Sequence, residues 1–464
     1  MSALRAYQIL PYPLRVLVAS IRGYYLNQLR YGNKIEYLID AALERETWTR
    51  DQWKAWQEER IAKILWHAAR NVPYYRQYWD DRRHHGDKAS VEILQNWPVL
   101  SKEAVRAYPQ SLVADGVNLS SQIVEHTSGT TGKPLTLWMS KEAVRQWYAL
   151  FEARWRGWYG LSRHDRWGIL GGQMVTSFAQ KKPPFWVWNA GMNQLYLSSY
   201  HLAPQYISDY LNAIQCHQIV YLLGYASSLY SMAQLALEQN LKIPALKSVI
   251  SNAEPLYTHQ REVISQAFQC PVYDTYGLSE NVCAASECLF GKLHLWPEVG
   301  VTEIFDDLSD VPLQTRELGR LVCTGFLNLT MPLIRYDTGD RGYLSLETSC
   351  ACGRSLPILG GIEGRQDDVL LTRDGRRIGR LDTVFKADLP LREAQIIQDN
   401  PEHIVVRYVP IPNDTQVNLS VLKDRLKERL GNMEIYFEKV DKIPRSSNGK
   451  FRAVISNINM KTTK

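Results

Sequence analysis

The chain has 464 residues, 45% of them hydrophobic and 22% charged, a balance that supports a large packed core in at least two domains and excludes a disordered or fibrous chain. Its formal net charge of +6 is spread along the chain, which favours a small polyanionic ligand or an acidic surface and argues against nucleic acid. No stretch reaches the roughly 18 uncharged apolar residues of a membrane span, and seven cysteines without a convincing export signal fit a reducing cytoplasm better than a disulfide framework.

In chain order, Tyr12 to Arg22 is an apolar segment interrupted by Arg15 and Arg22. Such a mixture suits peripheral contact with a membrane surface or, more commonly, packing onto the protein. From about residue 35 to 110, helical spacing with many aromatics (Trp53, Trp56, Ile61, Ile64, Leu65, Ala68, Ala69) predicts a helical cap. Ile123-Val124 and Leu135-Thr136-Leu137-Trp138 predict two strands around a Gly, Ser and Thr-rich loop. From about 120 to 345 short β-rich runs alternate with amphipathic helices: Trp167 to Leu170, Ala203 to Cys216, Ile219 to Leu223, Ser228 to Gln239, Ser248 to Ile250. That alternation predicts a layered α/β domain. At Gly360 to Asp368 glycines and charges replace the pattern, and beyond lie a basic turn (Arg373 to Arg377), a strand (His403 to Val409) and a charged helix (Val421 to Leu430). These predict a small α+β domain joined by one hinge.

The loop His126-Thr127-Ser128-Gly129-Thr130-Thr131-Gly132-Lys133-Pro134 offers backbone N–H groups, hydroxyls and one ammonium to a small volume. That donor set suits a polyphosphate. It is not a Walker A loop, because Thr127 stands at the first Gly position and Pro134 at the Ser/Thr position. Pro134 leads into a β-rich run, so no helix N-terminus is expected to hold the phosphate.

Further segments follow in order: Ser251-Asn252-Ala253-Glu254-Pro255-Leu256, Asp274-Thr275-Tyr276-Gly277-Leu278-Ser279-Glu280, Arg335-Tyr336-Asp337-Thr338-Gly339-Asp340, and Ile443-Pro444-Arg445-Ser446-Ser447-Asn448-Gly449-Lys450-Phe451-Arg452. Together with the loop they resemble the signature segments of the adenylate-forming superfamily of acyl-CoA ligases, luciferases and peptide-synthetase adenylation domains, over about residues 120 to 455. The resemblance implies an α/β fold of the acyl-CoA synthetase type: a large multi-layer N-terminal domain with a small mobile α+β C-terminal domain. Its expected parts are a helical region (1–115), a nucleotide-binding core (116–363) and a lid (364–464).

The resemblance also implies roles. Thr127, Ser128, Gly129, Thr130, Thr131, Gly132 and Lys133 would hold the ATP phosphates, with Thr130 taking part in catalysis. Asn252, Ala253, Glu254 and Pro255 would line the adenine pocket, Asn252 standing where relatives commonly have Gly; Asn tolerates left-handed dihedrals. Of Asp274, Thr275, Tyr276 and Gly277, Tyr276 would stack on adenine, and Glu280 would hold Mg²⁺, an ion content with few carboxylates plus phosphate oxygens. Asp340 and Arg365 would contact the ribose, Asp337 would be a turn residue, Asp367 the pivot of the hinge, and Lys450 the catalytic lysine.

Within the superfamily, Asn71 to Tyr78, Leu100-Ser101-Lys102 and Cys350-Ala351-Cys352-Gly353-Arg354 resemble the phenylacetate-CoA ligase branch, which includes proteins of capsular polysaccharide (CapK) type. Cys288 and His294 would complete a set with Cys350 and Cys352 suited to structural Zn²⁺, unless the cysteines are simple buried hydrophobes. Arg373, Arg376, Arg377 and Arg380 form either a cradle for coenzyme A phosphates or a solvated loop; this turn departs from the phenylacetate ligase pattern. Gln173, Trp186, Trp188, Tyr200, His201 and Tyr225 fall where the acyl pocket of relatives lies, in runs where aromatics are more commonly core.

The expected activity is ATP-dependent activation of a carboxylic acid, compact or aromatic, as an acyl-adenylate with release of pyrophosphate, followed by transfer to coenzyme A. Two anions must approach, so the chemistry is mainly charge neutralisation by Mg²⁺ on Glu280 and by Thr130, Thr131, Lys133 and Lys450. The alternatives are transfer to a sugar amine or hydroxyl in polysaccharide assembly, and a non-catalytic nucleotide-binding protein.

Overall fold

The computed structural model describes residues 3–127, 135–177, 179–254, 256, 258–306, 309–347, 349–363, 370–378, 381–385, 389, 391–410, 417–441, 443 and 454–458. It opens with helices α1 (Ala3–Gln8), α2 (Tyr12–Tyr31), α3 (Ile35–Glu44), α4 (Arg50–Asn71), α5 (Pro73–His84) and α6 (Lys102–Ala107). Helix α4 starts at a reciprocal cap: Thr49 Oγ1 accepts from Gln52 N–H and Gln52 Oε1 accepts from Thr49 N–H. Pro73 opens α5, where its missing N–H is no loss. The buried faces of these two helices, with Leu65, Ala68, Tyr75 and Trp79, share one core with Leu321, Cys323 and Tyr336 of the main sheet. The helical region is therefore a cap packed on that sheet.

Strands β1 (Ile123–His126) and β2 (Thr136–Met139) form an antiparallel hairpin, followed by α7 (Lys141–Leu150). The main sheet has twelve strands: β3 (Trp167–Gly171), β4 (Trp186–Asn189), β5 (Gln194–Ser198), β6 (Tyr221–Tyr225), β7 (Ser248–Asn252), β8 (Val272–Gly277), β9 (Ala284–Glu287), β10 (Leu293–Leu295), β11 (Gly300–Phe305), β12 (Gly319–Gly325), β13 (Tyr336–Leu344) and β14 (Ile358–Glu363). Their spatial order is β11-β12-β13-β14-β10-β9-β8-β7-β6-β3-β5-β4. Strands β5, β3, β6, β7 and β8 are parallel, with helices α8 (Ile207–Cys216), α9 (Ala226–Glu238) and α10 (Thr258–Phe268) between them in sequence. From β8 to β11 every pairing is antiparallel. Strands β6 and β7 are buried on both faces over their first four residues, and β6 accordingly carries Tyr221-Leu222-Leu223.

Several boundaries differ from the sequence expectation, two of them for a visible reason. The helix expected from Ala203 begins at Ile207, because Pro204 opens a separate short 3-10 turn, Pro204–Tyr206. The strand expected at Ile219 to Leu223 is displaced to Tyr221–Tyr225, in register with Ser248–Asn252. Toward the C-terminus a two-stranded ladder, β15 (Leu370–Leu371) and β16 (Arg377–Ile378), precedes a four-stranded sheet. That sheet comprises β17 (Leu391–Asn400), β18 (His403–Pro410), β19 (Glu434–Lys439) and β20 (Val454–Ser456) in the order β19-β18-β17-β20. Helix α11 (Leu419–Leu430) packs on it through Leu422, Leu426 and Leu430. The whole is a mixed α/β fold.

A buried ion network locks the cap to the antiparallel half. Arg154, fully buried in a π-helical extension of α7, makes a fork with Glu298 at 2.7 and 2.8 Å and donates to Glu46 at 2.9 Å. Trp158 Nε1 donates to the other oxygen of Glu46, and Arg45 donates to Glu298. We expect Arg154→Ala to leave Glu298 buried with only the Arg45 contact and to lower stability by about 3–5 kcal/mol, read as a shift in the urea midpoint at unchanged slope.

Candidate functional site

In open parallel sheets the crevice lies beyond the carboxyl ends of the strands. Strands β7 and β8 deliver two of the sequence-identified segments to that edge side by side, with Ser251 opposite Asp274 in the ladder. Thr275 Oγ1 donates to Ser251 O at 2.6 Å and fastens the two ends together. After β7 the chain turns sharply through Ala253, at φ +64°, and Glu254. The left-handed position is thus Ala253 and not Asn252, as the sequence suggested: Asn252 still pairs in β7 with Tyr225, and the turn falls one residue later. The Oδ1 of Asn252 is shielded from water and has no hydrogen-bond partner among the described residues, which suits a ligand donor arriving at this edge.

Glu280 follows β8 and is buried. Tyr336 donates to its Oε1 at 2.7 Å, so the carboxylate is held in a fixed direction. A second tyrosine–carboxylate pair joins β8 to β13, with Tyr276 Oη donating to Asp340 Oδ2 at 2.9 Å. Burial and the Asp340 charge push the Tyr276 phenol far up, so it stays a neutral donor. Strand β8 and the loop after it are thereby joined to β13 at two points, Tyr276 to Asp340 and Glu280 to Tyr336, with Gly277 closing β8 between Tyr276 and Glu280 in sequence. Tyr336 lay inside a recognised segment, but its role depends on a partner 56 residues away. Asp337, expected as a turn residue, instead lies in β13 opposite Val322, where it accepts from Gly339 N–H and pairs with Arg320.

Thr127 closes the neck of the hairpin loop: its N–H donates to Leu135 O and its hydroxyl accepts from Leu135 N–H at 3.0 Å. Met139, at the end of β2, touches Asn281 beside Glu280, with Nδ2 to Sδ at 3.4 Å. The hairpin therefore stands next to the carboxylate. Ser128, Gly129, Thr130, Thr131, Gly132, Lys133, Pro255, Arg365, Asp367 and Lys450 lie outside the described residues.

Asp274 is held from behind. The Glu287 carboxylate accepts from Asp274 N–H at 2.7 Å and from Arg261 at 2.8 Å. Burial, and then the Glu287 charge, push the Asp274 carboxyl up to about 7.

Cys288 follows β9, His294 lies in β10, and Cys350 and Cys352 come from the loop before β14; their ligand atoms all lie within 4.8 Å of one another. The Cys288 and Cys350 sulfurs are 3.7 Å apart, near the about 3.8 Å edge of a tetrahedron built on a Zn–S bond of about 2.3 Å. His294 Nε2 is 3.4 Å from the Cys352 sulfur, while its Nδ1 meets Leu356 O at 3.2 Å, the backbone contact that commonly orients a ligating histidine. Burial lowers the His294 pKa and keeps the ring neutral. The three cysteines and one histidine expected together are thus together, and no disulfide is formed.

Other expectations fare differently. Arg376 is buried, donating to Asp374, to Tyr200 O at 2.8 Å and to Arg429 O at 3.1 Å, so this guanidinium ties the C-terminal part to the main sheet instead of facing a ligand. Trp186 packs on Tyr210, Trp188 stacks on His217, and His201 stacks on Phe185 with its pKa pushed down to about 4 by burial. Those rings are packing residues. Tyr200 and Tyr225 converge at Gly172, beyond the carboxyl end of β3, where a Cβ would meet their hydroxyls at 3.4 and 3.1 Å.

Residues 370–457 match the family model of the CapK C-terminal domain. The chain is 27% identical to protein CapK of Staphylococcus aureus over 87% of its own length and 89% of that protein. It is 28% identical to the phenylacetate-coenzyme A ligase of Thermus thermophilus over 71% of this chain and 74% of that one. The chain is thus similar to CapK and to the phenylacetate-CoA ligases over most of its length. The fold agrees: the crystal structure of 2-hydroxyisobutyryl-CoA ligase in complex with 2-HIB-AMP and CoA superposes with a TM-score of 0.55 at 19% identity, covering 89% of this chain and 91% of that one.

The Asp274 carboxyl gives a stability signature. Its folded pKa of about 7 lies above the ordinary value of about 4, so between those values the native chain binds more protons than the unfolded one and loses stability as pH rises. In thermal melts, the advantage of Asp274→Asn over the parent should grow from about pH 4 to 7 and level off above; an advantage that shrinks with pH would contradict this.

Proposed function

We propose that the chain activates a carboxylic acid with ATP. The acid's carboxylate oxygen bonds to the α-phosphorus, the bond to the bridging oxygen of pyrophosphate breaks, and an acyl-adenylate forms. The two tyrosine–carboxylate bonds between β13 and β8 with its following loop carry this reading, because the residues they engage, Tyr276, Asp340 and Glu280, are those that the resemblance assigns to adenine, ribose and magnesium. Held by Tyr336, Glu280 is oriented to bind Mg²⁺, which would neutralise charge on the phosphates. Asn252 Oδ1 would accept from the adenine amino group. Thr130, Thr131, Lys133 and Lys450 would donate to the phosphates and to the charge developing on the leaving group.

Coenzyme A is the first acceptor to test, in keeping with the phenylacetate-coenzyme A ligases among the relatives. A sugar amine or hydroxyl is the second reading, favoured by likeness to CapK over nearly the whole chain and by the engagement of Arg376 in internal bonds. We further infer that Cys288, His294, Cys350 and Cys352 hold a structural Zn²⁺, a closed set of four with no open position for chemistry.

Hydroxylamine trapping of activated acyl groups across a panel of acids, with and without coenzyme A, tests the activity. We expect acid-dependent exchange of pyrophosphate into ATP, reduced by at least about a hundredfold in Lys450→Ala and Glu280→Gln. Acid-independent or unchanged exchange would refute the assignment, and indifference of AMP release to coenzyme A would favour the sugar acceptor. Elemental analysis should find one zinc per chain, lost in Cys350→Ser together with several degrees of melting temperature; metal-free protein of unchanged stability would refute the zinc site.

A further inference from the structure

Helix α2 is held to the protein by one face and leaves the other bare. At 100° per residue, Val16, Gly23, Asn27 and Arg30 lie on one side. Asn27 Nδ2 donates to Gly191 O at 2.8 Å, and Ser20 Oγ accepts from Ala190 N–H at 3.0 Å. Gly191 lies so close that a Cβ there would run into the backbone of Gly23, Tyr24 and Ser20. Arg15 turns inward to Thr176. The helix is therefore fixed in orientation on β4, the edge strand of the sheet.

The opposite stripe is Leu14, Leu17, Val18, Ile21, Tyr24 and Tyr25, at positions i, i+3, i+4, i+7, i+10 and i+11. All six are exposed, from 41% for Val18 to 64% for the two tyrosines. Six large apolar side chains in one row along a fixed helix exceed what a surface usually scatters, and such a row marks an interaction face.

The charges around it select the partner. Residues 1–34 contain Arg5, Arg15, Arg22, Arg30 and Lys34 and no Asp or Glu. Exposed Arg22 sits at the margin of the stripe and exposed Lys34 just beyond the helix. The loop carrying exposed Lys181 and Lys182 is tied to the N-terminal half of α2 through Arg15, Thr176 and Gln180, the last donating to Lys182 O. An apolar stripe with tyrosines, bordered by cations, suits a helix lying in the plane of an anionic bilayer surface. No helix among the described residues is long and apolar enough to cross a membrane.

We propose that α2 docks the folded protein on an anionic lipid surface, with Leu14, Leu17, Val18, Ile21, Tyr24 and Tyr25 inserted at the headgroup boundary and Arg22, Lys34, Lys181 and Lys182 contacting lipid phosphates. This proposal is independent of the adenylation reading, since no residue of the stripe belongs to the site. The test is flotation of the full chain with vesicles of phosphatidylcholine alone and of phosphatidylcholine with phosphatidylglycerol, alongside the variant Leu17→Ser/Ile21→Ser. Both positions are exposed, so the variant should melt like the parent. We expect flotation with the anionic vesicles only, weakened by salt, and on the order of a hundredfold weaker partition for the variant. No flotation, or flotation unchanged in the variant, would overturn the proposal. So would a parent that is dimeric and vesicle-free and becomes monomeric in the variant, which would identify a second copy of the chain as the occupant.

Discussion

Strand β8 runs parallel to β7 on one side and antiparallel to β9 on the other, and this double pairing fixes what the polypeptide does next. The parallel strands β6 and β7 each lead into a helix that carries the chain back across the sheet. From β8 the chain must instead reverse at once, and its connection, residues 278–283, stays at the carboxyl edge of the parallel strands. Glu280 is placed there by topology before any side chain contributes. Asn281, with φ +53°, is the tight point of that reversal. The crevice in which parallel sheets bind ligands thus receives one carboxylate from the loop after β8 and another, Asp340, from β13 of the antiparallel half.

Two kinds of bond make this arrangement rigid. Tyrosine hydroxyls bridge β13 with β8 and its following loop, Tyr276 to Asp340 and Tyr336 to Glu280; Tyr336 is fully buried and Tyr276 half-buried. Behind β8, Glu287 holds the Asp274 backbone and lies next to Cys288, the first member of the cysteine and histidine cluster. A metal-bound turn at that point would fix the end of β9 and, through Glu287, the end of β8. The cluster is itself braced: Arg354 pairs with Glu46 and lies over the Trp158 ring at 4.0 Å, and Glu46 belongs to the Arg154 network. The same buried ions that lock the cap therefore also support the cluster.

Legibility followed the range of the interaction. Strands and helices with a clear apolar period, such as Ser248–Asn252 or the helix through Leu422 and Leu426, were visible because local pattern decides them. The cluster was visible because Cys350-Ala351-Cys352 resembles the short cysteine knuckle of the phenylacetate-CoA ligase branch, and Cys288 and His294 complete its donor set. The contacts that orient the site were not. Tyr336 and Glu280 are 56 residues apart, and Tyr276 and Asp340 are 64 apart, so only the sheet order makes them neighbours. The turn after β7 was misassigned by one residue because Asn252 is the better left-handed residue by propensity, while ladder pairing keeps it extended and passes the strain to Ala253. Arg376 was read as part of a basic turn; folding turns it inward, where backbone carbonyls of Tyr200 and Arg429 accept its protons.

Charge shows the same limit most clearly. The formal +6 of the sequence suggests a mildly basic surface, yet Arg15, Arg154, Arg156, Arg335, Arg376 and Arg429 are all buried. Four of them face carboxylates: Arg154 faces Glu298 and Glu46, Arg156 faces Glu152, Arg335 faces Glu303, and Arg376 faces Asp374. A guanidinium suits such places because it is weakly hydrated and its planar fork satisfies two acceptors at once. These arginines build the fold and contribute little to the outward field. The cations that a distant anion meets are the exposed ones, and their placement, not the total, decides which surface attracts it. The surplus is uneven in sequence as well: residues 1–34, which include α2, hold five cations and no acid and so account for five of the six net charges.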